Sequence, residues 1–499
     1  MSNYNIDSLF GLIKSLNRSE KRQFKLYVNR IAMNSDSKFL ALFNALDKMN
    51  EYNEEIIIAK NITTKQQLSN LKAHLYKQIL TSLRMNPTQQ NERMQIREQF
   101  DFATILYQKG LHKQSLKILD KAKSQALKMD EKTIAYDILE LEKIIESQFI
   151  TRSISGRADQ LIEESKLLSN QNLQASKLSN LSLKLYSTLL ENGYAKNDEE
   201  IAAIKLFFFK ETNKITINEL KFKEQLWYYK ANVWLYMLIQ EPDNAQIFAQ
   251  KWVELFYTNP QRINSHPVWF LKGNTYLLKI LYLKKSIPEF KHWMQKIDQH
   301  IDYLPHNENV EALLFITKYN TKLNYSFINP TETISPFFIK DIIREIKYHL
   351  NKIDQHHISI LYLKIASYYF LNKDYENSIK FCYKILNSKQ VIQEDLHFYT
   401  HVLMMMNMYD SENDHDLDKY ALKARRICLR MKNKNIVTQK ISDFFIELNE
   451  IYPNEKIRAL KNLKQFLIDH ENQNTLKRSI NYINLKTWIN EKIDPKTIK

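Results

Sequence analysis

Two histidines, His397 and His401, have the spacing in this chain that most suggests chemistry. Residues four apart lie on one face of a helix, so both imidazoles could bind a single metal ion, with Glu394 or Asp395 close by. No third ligand follows at a suitable spacing, and the apolar residues that come next are typical of a buried helix. We therefore expect two histidines at a surface or boundary position and no bound metal.

An acidic segment further along has the alternation of a calcium-binding loop. Its carboxylates are Asp410, Glu412, Asp414, Asp416 and Asp418. A calcium loop needs glycine at its sixth position and a bidentate glutamate at its twelfth. These positions hold His415 and Ala421, so the sequence predicts a solvated acidic connector.

Motifs for nucleotide binding and nucleophilic catalysis are missing from the sequence. It contains no Gly-x-Gly-x-x-Gly, no Gly-Lys-Ser/Thr phosphate loop and no Gly-x-Ser-x-Gly turn. Its two cysteines, Cys382 and Cys428, are too few for a disulfide framework or a thiolate zinc site. We expect no catalytic residues, no cofactor and no enzymatic activity.

A run of basic residues is a candidate contact for an anionic partner. Its residues are Lys423, Arg425, Arg426, Arg430, Lys432 and Lys434. On a helix, Lys423, Arg426 and Arg430 share one face, opposite an apolar stripe. Residues 420–499 hold 17 Lys and Arg against 8 Asp and Glu, a net charge of +9. Lys423, Arg426, Arg430 and Lys434 are therefore candidate contacts for an anionic partner. The alternative is a solvated face near a helix C-terminus, where cations oppose the helix dipole.

The composition favours helices. The chain has 499 residues but only five glycines and ten prolines, too few for many tight hairpins or a doubly wound sheet. Hydrophobic residues make up 44%, enough to bury a core. The net charge of +16 fits either a nucleic-acid partner or a uniform compositional bias toward Lys, Asn, Ile and Tyr.

One pattern of six positions occurs three times with identical offsets. The first series is Ala103, Leu106, Gly110, Ser115, Leu119 and Ala122, the second is Val233, Tyr236, Gln240, Ala245, Ala249 and Trp252, and the third is Ala366, Tyr369, Lys373, Ser378, Cys382 and Ile385. Small residues on two helices let their backbones approach, and larger residues fill the groove between them. The pattern predicts antiparallel helical hairpins.

These series resemble the tetratricopeptide motif, in which small, aromatic and turn residues recur at such offsets. The chain is also similar to uncharacterised bacterial helical-repeat proteins that open with a Ser-Glu-Lys-Arg helix, here residues 19–22. The resemblance implies an all-α fold, an α-solenoid of irregular tetratricopeptide-like hairpins over residues 89–499 with a basic C-terminal part. Solenoids of this kind present concave surfaces that bind peptides.

Residues 1–88 predict a separate helical domain that ends where Pro87 breaks a long helix. A short helix, a turn and a long helix with several basic side chains have helix-turn-helix proportions. The basic residues are Lys65, Lys72, His74, Lys77 and Arg84. We expect instead a domain that caps the first apolar face of the solenoid, because the open end of a repeat array needs a polar cover.

The predicted function is that of a non-enzymatic adaptor or scaffold that binds a protein or peptide partner. The alternative is a nucleic-acid-binding regulator that uses the N-terminal helices or the basic C-terminal helices. The start of the chain lacks the pattern of a signal peptide, and no apolar stretch is long enough to cross a membrane. We therefore expect a cytoplasmic protein without membrane contact, and the oligomeric state stays open.

Overall fold

The computed structural model describes residues 7–31, 36–86, 91–148, 156–195, 197–329, 332–350, 352–388, 394–411, 417–431, 436–470 and 483–494. These residues form α-helices, two short 3-10 helices and connecting turns, and they contain no β-strand. The prediction of an all-α fold is therefore confirmed. Contacts between helices divide the chain into two compact units, Met1–Ser165 and Lys166–Lys499. The predicted domain boundary near residue 88 falls in 87–90, outside the described residues, and it stays a prediction.

The first unit holds eight helices and the start of a ninth among its described residues. They are α1 (Ser8–Ser15), α2 (Arg18–Ile31), α3 (Asp36–Lys48), α4 (Glu54–Ala59), α5 (Lys65–Arg84), α6 (Glu92–Gln108), α7 (His112–Lys128), α8 (Lys132–Gln148) and α9 (Arg157–Asn192).

The second unit continues from α9 with fifteen further described helices. They are α10 (Asp198–Thr212), α11 (Phe222–Leu238), α12 (Pro242–Tyr257), α13 (Gln261–Ser265), α14 (Pro267–Lys284), α15 (Ile287–Asp298), α16 (Glu308–Ile328), α17 (Pro336–His349), α18 (Gln355–Leu371), α19 (Tyr375–Leu386), α20 (Glu394–Asp410), α21 (Leu417–Arg430), α22 (Ile436–Glu450), α23 (Pro453–Asp469) and α24 (Leu485–Ile493). The 3-10 helices are Ile217–Glu219 and Ile301–Tyr303.

The order of packing is sequential in the second unit. From α11 onward, most of the longer helices contact the helix that follows or the one after, as α12 does with α14 and α18 does with both α19 and α20. Each amphipathic helix thereby covers the apolar stripe of its neighbour in the sequence. This arrangement is that of an α-solenoid.

The turns between paired helices share one backbone geometry. The turn residues Gly110, Asp130, Gln240, Lys285 and Lys373 each have a positive φ, between 55° and 75°. After Lys373, for example, the Asp374 N–H donates to the Tyr369 carbonyl and the Lys373 N–H to the Phe370 carbonyl, both at 2.9 Å. This pair of bonds caps the last carbonyls of a helix, and it turns the chain back within three residues.

The three sequence series occupy matching positions in three such hairpins, α6–α7, α11–α12 and α18–α19. The third member of each series is the left-handed turn residue: Gly110, Gln240 and Lys373. The first, fourth, fifth and sixth members are fully buried in all three hairpins, including Ala103, Ser115, Ala122, Ala366 and Ser378. In the first hairpin the Ser115 Oγ donates to the Ala103 carbonyl at 2.8 Å, which shows how closely the two backbones approach.

Two of these hairpins share an aromatic contact that the sequence series did not include. Tyr236 stacks on Phe248, and Tyr369 stacks on Phe381, with ring centroids 5.6 and 5.9 Å apart. Each phenylalanine lies three residues after the small fourth member of its series, Ala245 or Ser378. Stacking therefore closes the hairpin beside its turn.

The first unit has its own core and a buried ion network. Phe24 and Phe43 face each other in the core of α1–α5, with ring centroids 4.8 Å apart. On α7, the Lys123 ammonium lies 2.6 Å from a Glu142 carboxylate oxygen and 2.8 Å from one of Glu164. Burial raises the pKa of Glu142, and the cations of Lys123 and Arg157 oppose that rise. Removing either partner of such a pair leaves a buried charge without compensation. The ion network therefore fixes how α7, α8 and α9 pack together.

None of the described helices has both the length and the apolar character that are needed to cross a bilayer.

Candidate functional site

Helix α21 carries the predicted basic residues on its outer side. Its inner side is buried through small side chains such as Ala424, whereas Lys423, Arg426 and Arg430 are exposed. Spacings of three and four residues place these three cations on one face of the helix. Lys434, the fourth predicted contact, lies outside the described residues.

The three cations border one open cavity of about 450 Å³. Three consecutive helices supply its lining, which we call the basic cavity: Tyr383, Leu386 and Asn387 at the end of α19, His397 and His401 on α20, and Tyr420, Lys423, Arg426, Ile427 and Arg430 on α21. The exposed members form its mouth: Tyr383, Asn387, Lys423, Arg426 and Arg430. The buried and half-buried members form its floor: Leu386, His397, His401, Tyr420 and Ile427.

The tyrosines and one lysine of the cavity form a contiguous group. The Tyr420 hydroxyl donates to the Tyr383 hydroxyl at 3.0 Å, which ties α21 to α19. The Lys423 ammonium lies 5.4 Å from the centre of the Tyr420 ring, a cation–π contact. The His401 ring packs against the same tyrosine, with centroids 5.7 Å apart.

Both histidines of the floor are held neutral. Only 4% of His401 is exposed, and burial lowers its pKa to about 3, helped by the nearby His397 and Lys423. Burial also lowers the pKa of His397, and a hydrogen bond with the Leu386 backbone opposes that effect. An uncharged imidazole offers one donor and one acceptor, so the floor contributes hydrogen-bonding groups without positive charge.

The positive charge is therefore concentrated at the mouth. Among the described residues, Arg426 and Arg430 have no ion-pair partner. Arg425, next along the helix but outside the cavity lining, lies 4.0 Å from a carboxylate oxygen of Asp443. Two arginines and a lysine thus face solvent at one opening, where they attract anions.

Cations at the mouth and aromatic rings on the floor suit a ligand with both negative charge and apolar surface. Comparisons of the chain with family models, curated proteins and solved structures found no match.

The structure differs from expectation at the histidine pair that suggested metal binding, because His401 is buried and does not lie at the surface. His397 and His401 are adjacent in space, with ring centroids 5.4 Å apart, and the described residues contain no group of three potential ligands. Asp410 accepts a hydrogen bond from Trp488 Nε1 at 3.0 Å and lies 2.7 Å from the Lys492 ammonium, so it joins α20 to α24. The middle of the acidic connector, residues 412–416, lies outside the described residues.

The basic residues of α5 differ in exposure, and one of them, Lys72, is half-buried. Lys65, His74, Lys77 and Arg84 are exposed. Lys72, in contrast, pairs with Asp7 and donates to the Tyr52 hydroxyl at 2.8 Å. Helix α5 packs against α1, α2 and α3, so Lys72 stabilises the core of α1–α5.

A second cavity, of about 490 Å³, lies between α10, α11 and α12. Its lining is Lys205, Phe208, Phe209, Thr212, Tyr228, Asn232, Leu235, Tyr236, Glu241, Asn244 and Phe248. The Lys205 ammonium lies 2.7 Å from a Glu241 carboxylate oxygen, which neutralises its charge. This aromatic cavity lacks the uncompensated cations of the basic cavity.

Sequence reasoning found the cations of the basic cavity but missed Tyr383 and the link to His397 and His401. Tyr383 is 37 residues from Tyr420, to which it is hydrogen bonded. The one available signal was the hairpin register, because Tyr383 directly follows Cys382 of the third series.

Proposed function

We propose that this chain is a non-enzymatic helical-repeat adaptor that binds a protein or peptide partner through residues 166–499. The observation that carries the proposal is the basic cavity, where three consecutive helices of the stack present cationic and aromatic side chains around one opening. Aromatic residues and arginine are the side chains that contribute most to protein interfaces. Stacked helical repeats form extended concave surfaces, which are suited to binding peptides.

The local chemistry of the cavity supports binding rather than catalysis. The His401 imidazole is neutral through burial, and a general base that works near neutral pH needs a pKa close to 7. The hydroxyls of Tyr383 and Tyr420 are bonded to each other at 3.0 Å. We therefore propose that these groups hold a ligand in place and do not transfer its protons.

The matching hairpins support assignment to the tetratricopeptide-like class. Turn residues with positive φ and buried small residues recur at the same offsets in α6–α7, α11–α12 and α18–α19. We also propose a bacterial protein that works in the cytoplasm. Both cysteines, Cys382 and Cys428, are free and buried, as expected where thiols stay reduced.

A nucleic-acid-binding regulator is the second candidate, and the exposed cations of α21 favour it. Lys423, Arg426 and Arg430 could each contact a phosphate, and such contacts need no base recognition. A continuous basic stripe would favour this candidate more strongly than three cations gathered at one opening.

Photo-crosslinking in the native cell tests the proposal. A photo-reactive phenylalanine derivative replaces Asn387, which is exposed at the mouth of the basic cavity. The control carries the same group at Glu376, exposed in the first turn of α19 and outside the cavity lining. We expect a discrete protein adduct at position 387 that nuclease treatment leaves intact and that is missing at position 376.

Two outcomes would contradict the proposal. An adduct that disappears on nuclease treatment would transfer the assignment to the nucleic-acid candidate. No adduct at either position, with the chain present at its normal level, would show that the basic cavity does not bind a protein.

A further inference from the structure

The basic cavity has two chemically different parts, and this difference specifies what binds there. Its mouth carries three exposed cations on α21, whereas its floor is aromatic, aliphatic and uncharged. A ligand of charge alone would leave the floor filled with water, and an apolar ligand would leave the cations unused. An anion with an attached apolar group would contact the cations of the mouth and the rings of the floor at the same time.

The spacing of the cations indicates several negative groups rather than one. Lys423 and Arg430 are seven residues apart on α21, about 10 Å along the helix axis, with Arg426 between them. Carboxylates two residues apart on an extended peptide are separated by about 7 Å. An acidic segment a few residues long therefore spans the three cations, and arginine can bind a carboxylate through two parallel hydrogen bonds.

The floor favours an apolar side chain over a nucleobase. The Tyr420 hydroxyl is bonded to Tyr383, and the aliphatic Leu386 and Ile427 occupy the adjoining lining. A base inserted there would bury several polar edge atoms, which is unfavourable unless each finds a partner. The remaining polar groups of the floor are the imidazoles of His401 and of His397, and His397 is already bonded to the Leu386 backbone. Phenylalanine and leucine side chains have no polar atom that needs a partner, and tryptophan has one N–H. An aromatic side chain is stabilised further by contact with the Tyr420 ring.

We propose that the basic cavity binds a short acidic segment of the protein partner, with one bulky apolar side chain on the floor and flanking carboxylates at Lys423, Arg426 and Arg430. This inference rests on the proposed adaptor function and specifies the chemistry of its partner.

Fluorescence anisotropy with the full chain and labelled pentapeptides tests the proposal. The probes are Asp-Glu-X-Glu-Asp with X as Phe, Leu, Trp or Ala, and the uncharged analogue Asn-Gln-Phe-Gln-Asn. We expect saturable binding for at least one bulky residue at X. The alanine and uncharged peptides should each bind about tenfold more weakly or worse, because each lacks one of the two required parts.

Neighbouring arginines provide a matched pair of variants. Arg426→Gln should weaken binding of the preferred peptide about tenfold, since it removes a cation from the mouth. Arg425→Gln makes the same chemical change one residue earlier, outside the cavity lining, and should alter affinity less than about twofold. Both side chains are exposed, so circular dichroism should show unchanged helix content in both variants.

Three results would overturn the inference. One is the lack of saturable binding below about 1 mM for every bulky peptide. Another is equal binding of the alanine peptide, which would mean that charge alone is recognised. The third is tighter binding of a single-stranded oligonucleotide or inorganic phosphate than of any peptide, if that binding is abolished in Arg426→Gln.

The two proposals fail in different ways. If a protein adduct at position 387 persists at full yield in Arg426→Gln, the adaptor function stands and the acidic-segment inference is wrong. If no protein adduct forms at position 387 when Arg426 is left unchanged, the adaptor function itself is wrong, whatever the peptides do.

Discussion

At the scale of single residues, Lys364 on α18 shows how burial changes chemistry. Only 3% of it is exposed, and its ammonium donates to Asn320 Oδ1 at 2.7 Å, a neutral partner. Burial lowers its pKa from 10.5 to about 7, and the nearby charge of Lys279 adds to this effect. The folded protein thus holds this proton less tightly than the unfolded chain does.

The consequence is a defined pH dependence. Below about pH 7 the amine is charged in both states, and the free energy of burying that charge opposes folding fully. Between pH 7 and 10 the unfolded chain binds more protons, so the free energy of unfolding rises with pH, by up to about 1.4 kcal/mol per unit. In urea unfolding between pH 6 and 9, the free energy of unfolding of the wild type should rise with pH relative to that of Lys364→Met. Parallel pH profiles would show that Lys364 is not buried as described.

Gly273 illustrates a constraint of a different kind. A Cβ atom added to this residue of α14 would lie 2.9 Å from Trp252 Nε1, closer than non-bonded atoms approach. Trp252 is fully buried on α12, so its ring has little room to move. Glycine in the middle of this helix is therefore required by the packing of α12 against α14.

We expect Gly273→Ala to lower the free energy of unfolding by about 1–3 kcal/mol through overpacking. This sign is opposite to that of helix propensity, which favours alanine by about 1 kcal/mol. Lys272→Ala, at the exposed neighbouring position, is the control and should change stability by less than about 0.5 kcal/mol. Thermal denaturation of both variants measures the difference, and a more stable Gly273→Ala would contradict the close contact.

At the scale of the elements, most hairpin turns are strained, because a residue with a Cβ atom occupies their left-handed position. Lys373 joins α18 to α19 with φ at 60°, a conformation that side chains with a Cβ atom adopt at a cost. Gly110 takes the same position in the first hairpin, where the cost is absent.

Lys373→Gly should therefore raise the free energy of unfolding by about 1 kcal/mol, since it removes the Cβ from a left-handed position. The same replacement at Lys380, exposed inside α19, should lower stability by about 1 kcal/mol because glycine is a poor helix former. Chemical denaturation of the pair checks the opposite signs. Destabilisation by both changes would mean that the turn geometry is not the one described.

At the scale of the whole molecule, we expect the net charge of +16 to produce some nucleic-acid binding, either non-specific or at a dedicated site. Non-specific binding draws on all exposed cations. A dedicated site would depend on the three cations of the basic cavity.

We expect weak, non-saturable binding of a DNA oligonucleotide at about 0.15 M salt. Replacing Arg426 and Arg430 by glutamate should then change the salt dependence no more than the same replacements at Lys419 and Arg425, exposed on α21 outside the cavity lining. Filter binding over a series of salt concentrations measures the slope, which is about −0.7 to −0.9 per phosphate contacted. Saturable binding that only the cavity variant loses would favour the nucleic-acid regulator.

The sequence by itself determined the all-α fold and the register of three hairpins. Helical periodicity, scarce glycine and the offsets around Gly110, Gln240 and Lys373 are local properties, since a hairpin is made by residues about a dozen apart. The same local periodicity put Lys423, Arg426 and Arg430 on one side of α21, where the structure places them.

Only the tertiary structure decided what these cations face. It brought His401 and Tyr383 beside α21, joined Asp410 to Trp488 across 78 residues, and buried Lys364 against Asn320, 44 residues away. Such contacts depend on how each pair of helices crosses, which is set by the fit of many side chains together. Periodicity reports which face of a helix is covered but not which neighbour covers it, and for that reason the cations were predictable and the cavity was not.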